Sequence, residues 1–574
     1  MNFNILRRVC RLAAIGAILL SSASCVYINE QLGENLIPTD QKWDIFTPED
    51  IVLEGIQLRM TDSLYEYNSN RFTFGAINDP SFGTSVKSTS FTLIPLLDTL
   101  DFGKNTKVRH FHFTAVRDTL STYHSSQQRI LQNVYVSELK APLDTFSLYT
   151  GTFMNEANRE KYLNTSNIIT QGIPVYDGGD SLSFSFSKEF AESMVERLKK
   201  VKLDSMDLYT REIPGIYITT DVPAVQGGRI NMFDLPVEFT DSYITGNYAE
   251  LKFTADYDDR KDVDTSFIFL FGPGTFIDAE ATTMPTQFAF NASNHESLEN
   301  KFVENWENGN KENLYIEGGS GMKPVITARE IKSILNNLLT EAGVANAKEV
   351  VINKATIILP YVMPADYQDM DKYPTVLSPT VRLHSEEGGY VTYAGLTDSS
   401  IESENQGDIN RSLCMYSPDV SHHIQEILKL DPASEDYEKN IDNYDIWMLI
   451  MHDEVVEESS SSSANSDYLN SLLYSSYYNN MMYGGYGGYG YGGYGGYGGY
   501  GYGGYGYDSY GYGYSNYYNY MMLASMSSSY STSETTERGL DNDRFYNAVL
   551  CGPGSAGEKP RIKITFSVPF SAEN

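Results

Sequence analysis

The sequence predicts a mostly β protein: two β-sandwich-like domains with a few short helices, plus a Tyr/Gly-rich insertion that we expect to be disordered. Three observations lead to this prediction. Alternation of apolar and polar residues with a period of two recurs along most of the chain. Clusters of Gly, Pro, Asn and Asp separate these runs, as turns separate strands. At 574 residues, the chain is long enough for two or three domains.

Residues 1–24 are typical of a signal peptide. The basic segment Arg7–Arg11 precedes a short apolar run, Leu12–Leu20, and small residues lead to Cys25. The run is too short to span a membrane, which takes about 20 apolar residues, so we expect cleavage. A cysteine at this point predicts a lipoprotein, with palmitate-type acyl chains on Cys25 that anchor it to the membrane. The alternative is an ordinary secretory signal, because Ser22 stands where lipoprotein signals usually have Leu.

Shifts in composition divide the rest of the chain. We expect a lipid tether, two β-rich domains, a connecting segment and an insertion that interrupts the second domain. The predicted bounds are 25–45 for the tether, 46–275 for the N-terminal domain, 276–325 for the connecting segment, 326–457 and 538–574 for the C-terminal domain, and 458–537 for the insertion.

The N-terminal domain is predicted to consist mainly of strands, because period-two runs dominate it. Only Lys188–Lys200 has helical spacing, with four apolar side chains on one face. The predicted strands are Arg71–Phe74, Ser90–Pro95, Val108–Val116, Asn133–Leu139, Ser181–Phe186, Gly215–Thr219, Arg229–Phe233, Glu250–Ala255 and Ser266–Phe271.

The connecting segment is polar and mixed, and Asn291–Asn313 fits either a helix or a loop. The C-terminal domain opens with a predicted amphipathic helix, Ala328–Leu339. Its predicted strands are Val350–Val362, Thr380–His384, Tyr390–Gly395, Tyr444–His452 and Arg561–Phe570.

The insertion begins with a serine run, Ser459–Ser463, and continues into Tyr483–Tyr514, which is almost entirely Tyr and Gly. Such repetition specifies no unique packing, so we predict a long surface loop. Three interpretations stay open: an inert expansion, an adhesive or phase-separating segment, and a carbohydrate-binding segment whose rings stack on sugars.

Charge and cysteine content restrict the partners. The formal net charge is −33, and loss of the three signal-peptide arginines would leave about −36, which repels nucleic acid.

Of the four cysteines, Cys414 and Cys551 remain after processing. In an oxidising compartment they predict either one disulfide or two separately buried thiols. Neither has the neighbours of a zinc site.

No pattern typical of a catalytic centre, a metal site or a cofactor site emerges. His110 and His112 would share one face of a strand, but no third ligand is identifiable, so a solvated face is the better interpretation. Asp256–Asp264 loosely resembles a calcium loop, yet it lies where a polar hairpin is expected. Asp366–Asp371 and the adjacent pair His422 and His423 are weaker candidates.

Five Asp-Ser/Thr pairs followed by Leu or Met resemble an O-glycosylation signal of periplasmic proteins. The candidate acceptors are Ser63, Thr99, Thr119, Ser181 and Ser205. The alternative is ordinary turn-to-strand sequence, where Asp-Ser/Thr is common.

Several segments resemble the Bacteroidota lipoprotein family called domain of unknown function 4270. The segments are Glu30–Pro38 (EQLGENLIP), Phe74–Ser85 (FGAINDPSFGTS), Ile213–Ile218 (IPGIYI) followed by Gly227–Leu235 (GGRINMFDL), and Ile352–Pro360 (INKATIILP). The resemblance implies a β-rich envelope lipoprotein without a known enzyme activity, and it supplies no catalytic residues. The Tyr/Gly tract departs from the family pattern.

We therefore expect a lipid-anchored outer-membrane protein with a non-enzymatic binding or structural role. Its ligand would be a glycan or an envelope protein. The alternative is an accessory lipoprotein subunit of an outer-membrane assembly or export complex. Surface export in this phylum is linked to an acidic cluster after the lipidated cysteine, which Val26–Glu30 lacks. Its facing stays open, with a preference for the periplasmic side.

Overall fold

A computed structural model describes most of the chain from residue 42 onward. The described residues are 42–61, 64, 67–69, 71–96, 100–118, 130–143, 153–154, 156–203, 205–235, 237–239, 244–258, 260–272, 289–295, 302–344, 346–384, 391–400, 405–459, 532–541, 544 and 546–570.

These residues confirm the predicted fold class, since strands in antiparallel sheets predominate and the helices are few and short. The strands are β1 (Trp43–Phe46), β2 (Ile51–Val52), β3 (Gln57–Met60), β4 (Tyr67–Ser69), β5 (Arg71–Asp79), β6 (Gly83–Pro95), β7 (Lys104–Val116), β8 (Gln132–Asn133), β9 (Tyr135–Leu139), β10 (Leu163–Ile168), β11 (Val175–Tyr176), β12 (Ser181–Ser185), β13 (Ile216–Thr219), β14 (Gly227–Asp234), β15 (Val237–Phe239), β16 (Ile244–Gly246), β17 (Tyr248–Tyr257), β18 (Arg260–Gly272), β19 (Ala289–His295), β20 (Asn313–Glu317), β21 (Met322–Ile326), β22 (Val351–Pro360), β23 (Val376–His384), β24 (Val391–Gly395), β25 (Ile409–Asn410), β26 (Met415–Tyr416), β27 (Ile446–Ser459), β28 (Thr532–Leu540), β29 (Asn547–Cys551) and β30 (Arg561–Pro569).

The helices are α1 (Glu156–Tyr162), α2 (Lys188–Leu198), α3 (Met206–Glu212), α4 (Phe302–Glu307), α5 (Ala328–Glu341), α6 (Ser421–Lys429) and α7 (Tyr437–Asn440). Both predicted helices are present as α2 and α5. Each begins where a hydroxyl side chain, of Ser187 or Thr327, accepts the backbone N–H three residues later.

A 12-stranded sheet organises the N-terminal unit, in the order β10-β9-β13-β6-β18-β17-β7-β12, with β4, β5, β14 and β19 joined to it. The long strand β6 pairs with β5 and β19 near its start and with β18 near its end, so the sheet bends along it. At the far end, Asp118 N–H donates to the Met232 carbonyl at 2.8 Å, which links the end of β7 to β14.

Phenylalanine dominates the core of this unit. Phe113 stacks on Phe271 with ring centroids 4.7 Å apart, and Phe72 stacks on Phe233 at 4.8 Å. Phe91, on β6, stacks on Phe271 at 4.7 Å. All five rings are buried, as the alternating sequence pattern predicts for inward positions.

The C-terminal unit has two six-stranded sheets that share one core with α5 and α6. One sheet has the order β1-β30-β22-β26-β25, with β2 also on β30. The other has the order β24-β23-β27-β21-β3, with β28 on β27. Core side chains come from both sheets and both helices, including Ile357, Ile564, Ile331, Ile427 and Met448.

The start of the described chain belongs to the C-terminal unit, which differs from the predicted domain boundary at residue 46. Strand β1 pairs with β30, and β3 pairs with β21. Leu53, Ile56 and Leu58 are buried in the C-terminal core. Most of β1 lies within the predicted tether 25–45, and β2 and β3 were not predicted as strands, because such short strands leave little local pattern.

The predicted connecting segment 276–325 is likewise divided between the two units. Strand β19 pairs with β6 of the N-terminal unit, whereas β20 and β21 pair with β29 and β27 of the C-terminal unit. Only α4, within Asn291–Asn313, corresponds to the helix considered for that segment.

The two units meet through buried polar groups. The imidazole Nδ1 of His295, on β19, lies 3.5 Å from a carboxylate oxygen of Glu317, on β20, and 3.2 Å from the Ser85 hydroxyl. Phe82 packs edge-on against Tyr315, with centroids 5.5 Å apart. The contact between His295 and Glu317 holds the end of β19 against the end of β20.

Strands β27 and β28 flank the insertion. Their pairing runs from Met451 opposite Leu540 to Ser459 opposite Thr532. The strands therefore extend into the predicted insertion 458–537 at both ends. The remaining segment, 460–531, lies outside the described residues, and the expectation of disorder there stays a prediction.

We predict that the insertion is dispensable for folding. Replacing 460–531 by Asn-Gly would join Ser459 to Thr532 through a two-residue turn suited to this register. The free energy of unfolding should stay equal or rise, because a shorter loop costs less closure entropy. Urea denaturation followed by circular dichroism measures it.

The control is Ile450→Ala in buried β27, which should lower stability by about 2–5 kcal/mol. A loss of that size in the Asn-Gly variant would instead show that the insertion contributes to the fold.

Candidate functional site

An open cavity of about 290 Å³ lies where the start of α6 meets β22. Seven of its eight lining residues have polar side chains, and they come from three separate parts of the C-terminal unit. The lining residues are Ile352, Asn353, Lys354, Asp398, Asp419, Ser421, His422 and Gln425.

The cavity forms because α6 covers a strand edge. Strand β22 pairs with β30 on one side, but with β26 only at its final residues. On the open side, Ile352 N–H donates to the Gln425 side-chain oxygen at 2.8 Å, and Ala355 N–H donates to the Ser421 hydroxyl at 2.8 Å. Side chains of α6 thereby satisfy backbone groups that an exposed edge would leave unpaired.

Two carboxylates close the N-terminus of α6. Asp398, in the 3₁₀ turn Thr397–Ser400, accepts the N–H groups of His422 at 2.7 Å and His423 at 3.1 Å. Asp419 accepts Ser421 N–H at 3.0 Å. Negative side chains here satisfy free N–H groups and complement the helix dipole.

The two carboxyl groups differ in acidity. Burial raises the pKa of Asp398, and the two backbone hydrogen bonds offset it only in part. Burial also acts to raise the pKa of Asp419, but hydrogen bonds from Lys354 and Ser421 outweigh it, and the net pKa is lowered. The Lys354 ammonium, half exposed, forms an ion pair with Asp419.

The hydroxyl of Ser421 is committed within this network. It donates to Asp419 at 2.6 Å and accepts from Ala355 N–H. The exposed side chains of Asn353 and His422, in contrast, have no hydrogen-bond partner among the described residues. The cavity thus presents held carboxylates together with free donors and acceptors at its rim.

The adjacent histidines have different roles. His422 lies at the cavity rim, whereas His423 is buried and its Nε2 donates to the Tyr444 carbonyl at 2.9 Å. Burial lowers the pKa of His423 to about 4, because a charged ring would lose its hydration there.

The predicted shared face of His110 and His112 is confirmed. Phe111 and Phe113 point into the core, while His112 contacts the hydroxyls of Ser183 at 2.8 Å and Ser185 at 3.2 Å. Burial, and then the nearby His110, lower the pKa of His112.

The aspartate-rich segments form turns. Asp256 accepts the Asn105 amide at 2.7 Å and Asp262 N–H at 2.9 Å in the β17–β18 hairpin, the polar hairpin that the sequence suggested. Asp366 caps the 3₁₀ turn Tyr367–Lys372. In the part of the chain that is described, no group of three His, Cys, Asp or Glu is arranged to hold a metal ion.

Two of the predicted modification sites are described. Ser181 is exposed at the start of β12, and Ser205 is half-buried immediately before α3. The lipidation site and three candidate acceptors lie outside the described residues: Cys25, Ser63, Thr99 and Thr119. Glycosylation and lipidation stay predictions.

Cys414 and Cys551 are free thiols in the structure, and both are half-buried instead of buried as the second alternative expected. Both lie in strands or turns next to Tyr361, whose N–H donates to the Cys414 carbonyl at 2.9 Å. The predicted disulfide between them is absent from the structure.

The cavity was not predicted from the sequence. The spacing of His423, Ile424, Ile427 and Leu428 after a serine indicates a short helix and could have predicted α6. Its docking against β22 is a long-range contact with no local signal.

No family model, curated protein or solved structure matches the chain. Among the described residues, no helix combines the length and apolar character needed to cross a membrane.

We predict that His423 makes stability fall as pH decreases. Its folded pKa of about 4 lies below the ordinary value of 6.5, so the unfolded chain binds the proton more readily. The contribution is complete above pH 6.5 and is lost towards pH 4. His423→Gln, which can still donate to Tyr444, should reduce the loss between pH 7 and pH 5 by about 2 kcal/mol.

Urea unfolding at both pH values measures this difference. Asn353→Ala, which changes an exposed side chain that does not titrate, is the control and should retain the wild-type pH dependence. Equal pH dependence in His423→Gln and wild type would contradict the assignment.

Proposed function

We propose that the protein is a lipid-anchored outer-membrane protein with a non-enzymatic binding or structural role. The signal-like N-terminus and Cys25 support the anchor. The sequence segments that resemble a Bacteroidota lipoprotein family, which no family model matches, are our reason for proposing an envelope location. We place the binding site in the cavity between α6 and β22.

The polar cavity is the observation that carries the binding role. Its Asp398 and Asp419 oxygens are held by backbone N–H groups, so little side-chain freedom is lost when a ligand binds. Lys354, Asn353 and His422 add donors and acceptors at the rim. Sugar hydroxyls both donate and accept hydrogen bonds, so a glycan is the ligand class that this lining fits.

The hydrogen bonds of Ser421 support a binding role over a hydrolytic one. A nucleophilic serine needs a general base that accepts its proton, commonly a histidine. The Ser421 proton instead points to Asp419, which Lys354 already pairs and whose pKa is lowered. An anion of low basicity is a poor proton acceptor.

The ribbon of β27 and β28 favours the second candidate function, an accessory subunit of an outer-membrane assembly or export complex. Strand β23 pairs with β27 only as far as Met451, whereas β27 and β28 continue to Ser459 and Thr532. A ribbon that extends past its sheet offers strand edges to a partner protein.

We predict that Cys25 carries the lipid. Cells grown with a palmitate analogue should label the wild-type protein, and Cys25→Ala should abolish the label because no acyl acceptor remains. Cys414→Ala is the matched control and should label normally. Equal labelling of Cys25→Ala and wild type would contradict the anchor.

We predict that the cavity binds a glycan. Binding on a glycan array, followed by calorimetry, should weaken about tenfold in the double variant Asn353→Ala, His422→Ala, since two hydrogen bonds are removed. Both side chains are exposed, so the fold should persist. His110→Ala, at an exposed position of β7 in the other unit, is the control.

Unchanged glycan affinity in the double variant would contradict the cavity assignment. Affinity purification in gentle detergent separates the two functions. A stoichiometric membrane-protein partner, without glycan binding, would favour the accessory role.

A further inference from the structure

An apolar patch lies on the outer face of the sheet where the described chain begins. Trp43 and Ile45 occupy alternate positions of β1 and are 49% and 69% exposed. Ile45 lies opposite Ser567 of β30, which in turn lies opposite Val351 of β22, so Val351 shares this face. We call Trp43, Ile45 and Val351 the anchor-side patch. Phe570, also exposed, follows β30 at the end of the same two paired strands.

Strand β1 places Trp43 and Ile45 on one face and Asp44 and Phe46 on the other, and Asp44 is exposed. Phe46 points inward and stacks on Phe566 with centroids 5.2 Å apart. The outward Trp43 and Ile45 have no core to contact. An edge strand with one solvated face normally places polar residues there, so this arrangement indicates a surface that something covers.

Cations accompany the patch although the whole chain is acidic. The Lys42 ammonium lies 6.0 Å from the centroid of the Phe570 ring. Lys563 lies four residues before Ser567 on β30, hence on the same face, and is exposed. It has no ion-pair partner among the described residues. Apolar and aromatic side chains beside lysines fit the headgroup layer of a membrane.

The position of the patch along the chain identifies the occupant. Lys42 lies 17 residues after Cys25. A chain of that length spans at most roughly 60 Å even when fully extended. An anchor at Cys25 would therefore keep β1 within that distance of the membrane surface. The anchor makes the contact intramolecular, so even a weak patch would be occupied.

We propose that the anchor-side patch lies in the headgroup layer of the membrane and orients the C-terminal unit on it. The proposal rests on the lipid anchor at Cys25. The lipid surface contacts the outer face of β1, β30 and β22, and β1 enters the sheet directly from the tether. The two units then hold a defined orientation instead of moving freely on a tether.

Tryptophan fluorescence tests this proposal in the lipidated full-length mature protein. The chain has three tryptophans, and Trp306 and Trp447 are buried. The protein is reconstituted into phosphatidylcholine vesicles with or without bromine on the acyl chains near the headgroup. Bromine should quench part of the emission, and Trp43→Phe should abolish that loss.

The matched control adds Val225→Trp to Trp43→Phe, which places a tryptophan at an exposed position of the N-terminal unit. Its emission should be insensitive to brominated lipid. Equal quenching at both positions would overturn the proposal, because contact would then be unspecific.

Flotation of the same samples tests the lipid anchor separately from the proposed orientation. Protein that does not float with the vesicles would refute the anchor and, with it, the orientation. Floating protein in which brominated lipid does not quench Trp43 would overturn the orientation alone. If acrylamide also fails to quench Trp43 in that sample, a second copy of the chain covers the face instead.

Discussion

The rest of the structure depends on the position of β30, which pairs both with the first described strands and with β22 in the middle of the chain. This single strand contacts β1 and β2 on one side and β22 on the other. Leu53 N–H donates to the Pro560 carbonyl at 2.9 Å, and Phe570 N–H donates to the Lys42 carbonyl at 2.8 Å. The chain end thereby joins the segment that follows the tether to the strand that forms one wall of the cavity.

This pairing relates the proposed anchor to the proposed binding site. The outer face of the sheet carries the anchor-side patch, and the far edge of β22 carries the cavity, where α6 supplies the missing hydrogen bonds. The same groups that satisfy the strand edge also form the polar lining. The proposed binding surface thus coincides with a structural requirement. Among the described residues, the side chains of Asn353 and His422 have no hydrogen-bond partner and could contact a ligand there.

Local patterns predicted many of the longer strands and the two longest described helices, because burial on one face imposes its period on the sequence. They did not predict short strands such as β3 and β20. They could not predict which strands pair. Strand β1 lies more than 500 residues from β30 along the chain, and no local pattern near residue 46 indicates that the two strands pair. The cavity was missed for the same reason. Lys354, Asp398 and Asp419 come from separate elements. The chain has 75 acidic residues, and no local feature distinguishes Asp398 and Asp419 from the others.

Hydrogen–deuterium exchange of the full chain tests most directly the claim that the residues after the tether are part of the C-terminal unit. The account predicts that backbone amides of β3 and Leu53 exchange as slowly as those of β22 and β30, since they would open only when the unit unfolds. Fast exchange over residues 51–60, with β22 and β30 still protected, would contradict it. The segment would then be an extension of the tether, and neither the patch nor the cavity would be held relative to the anchor.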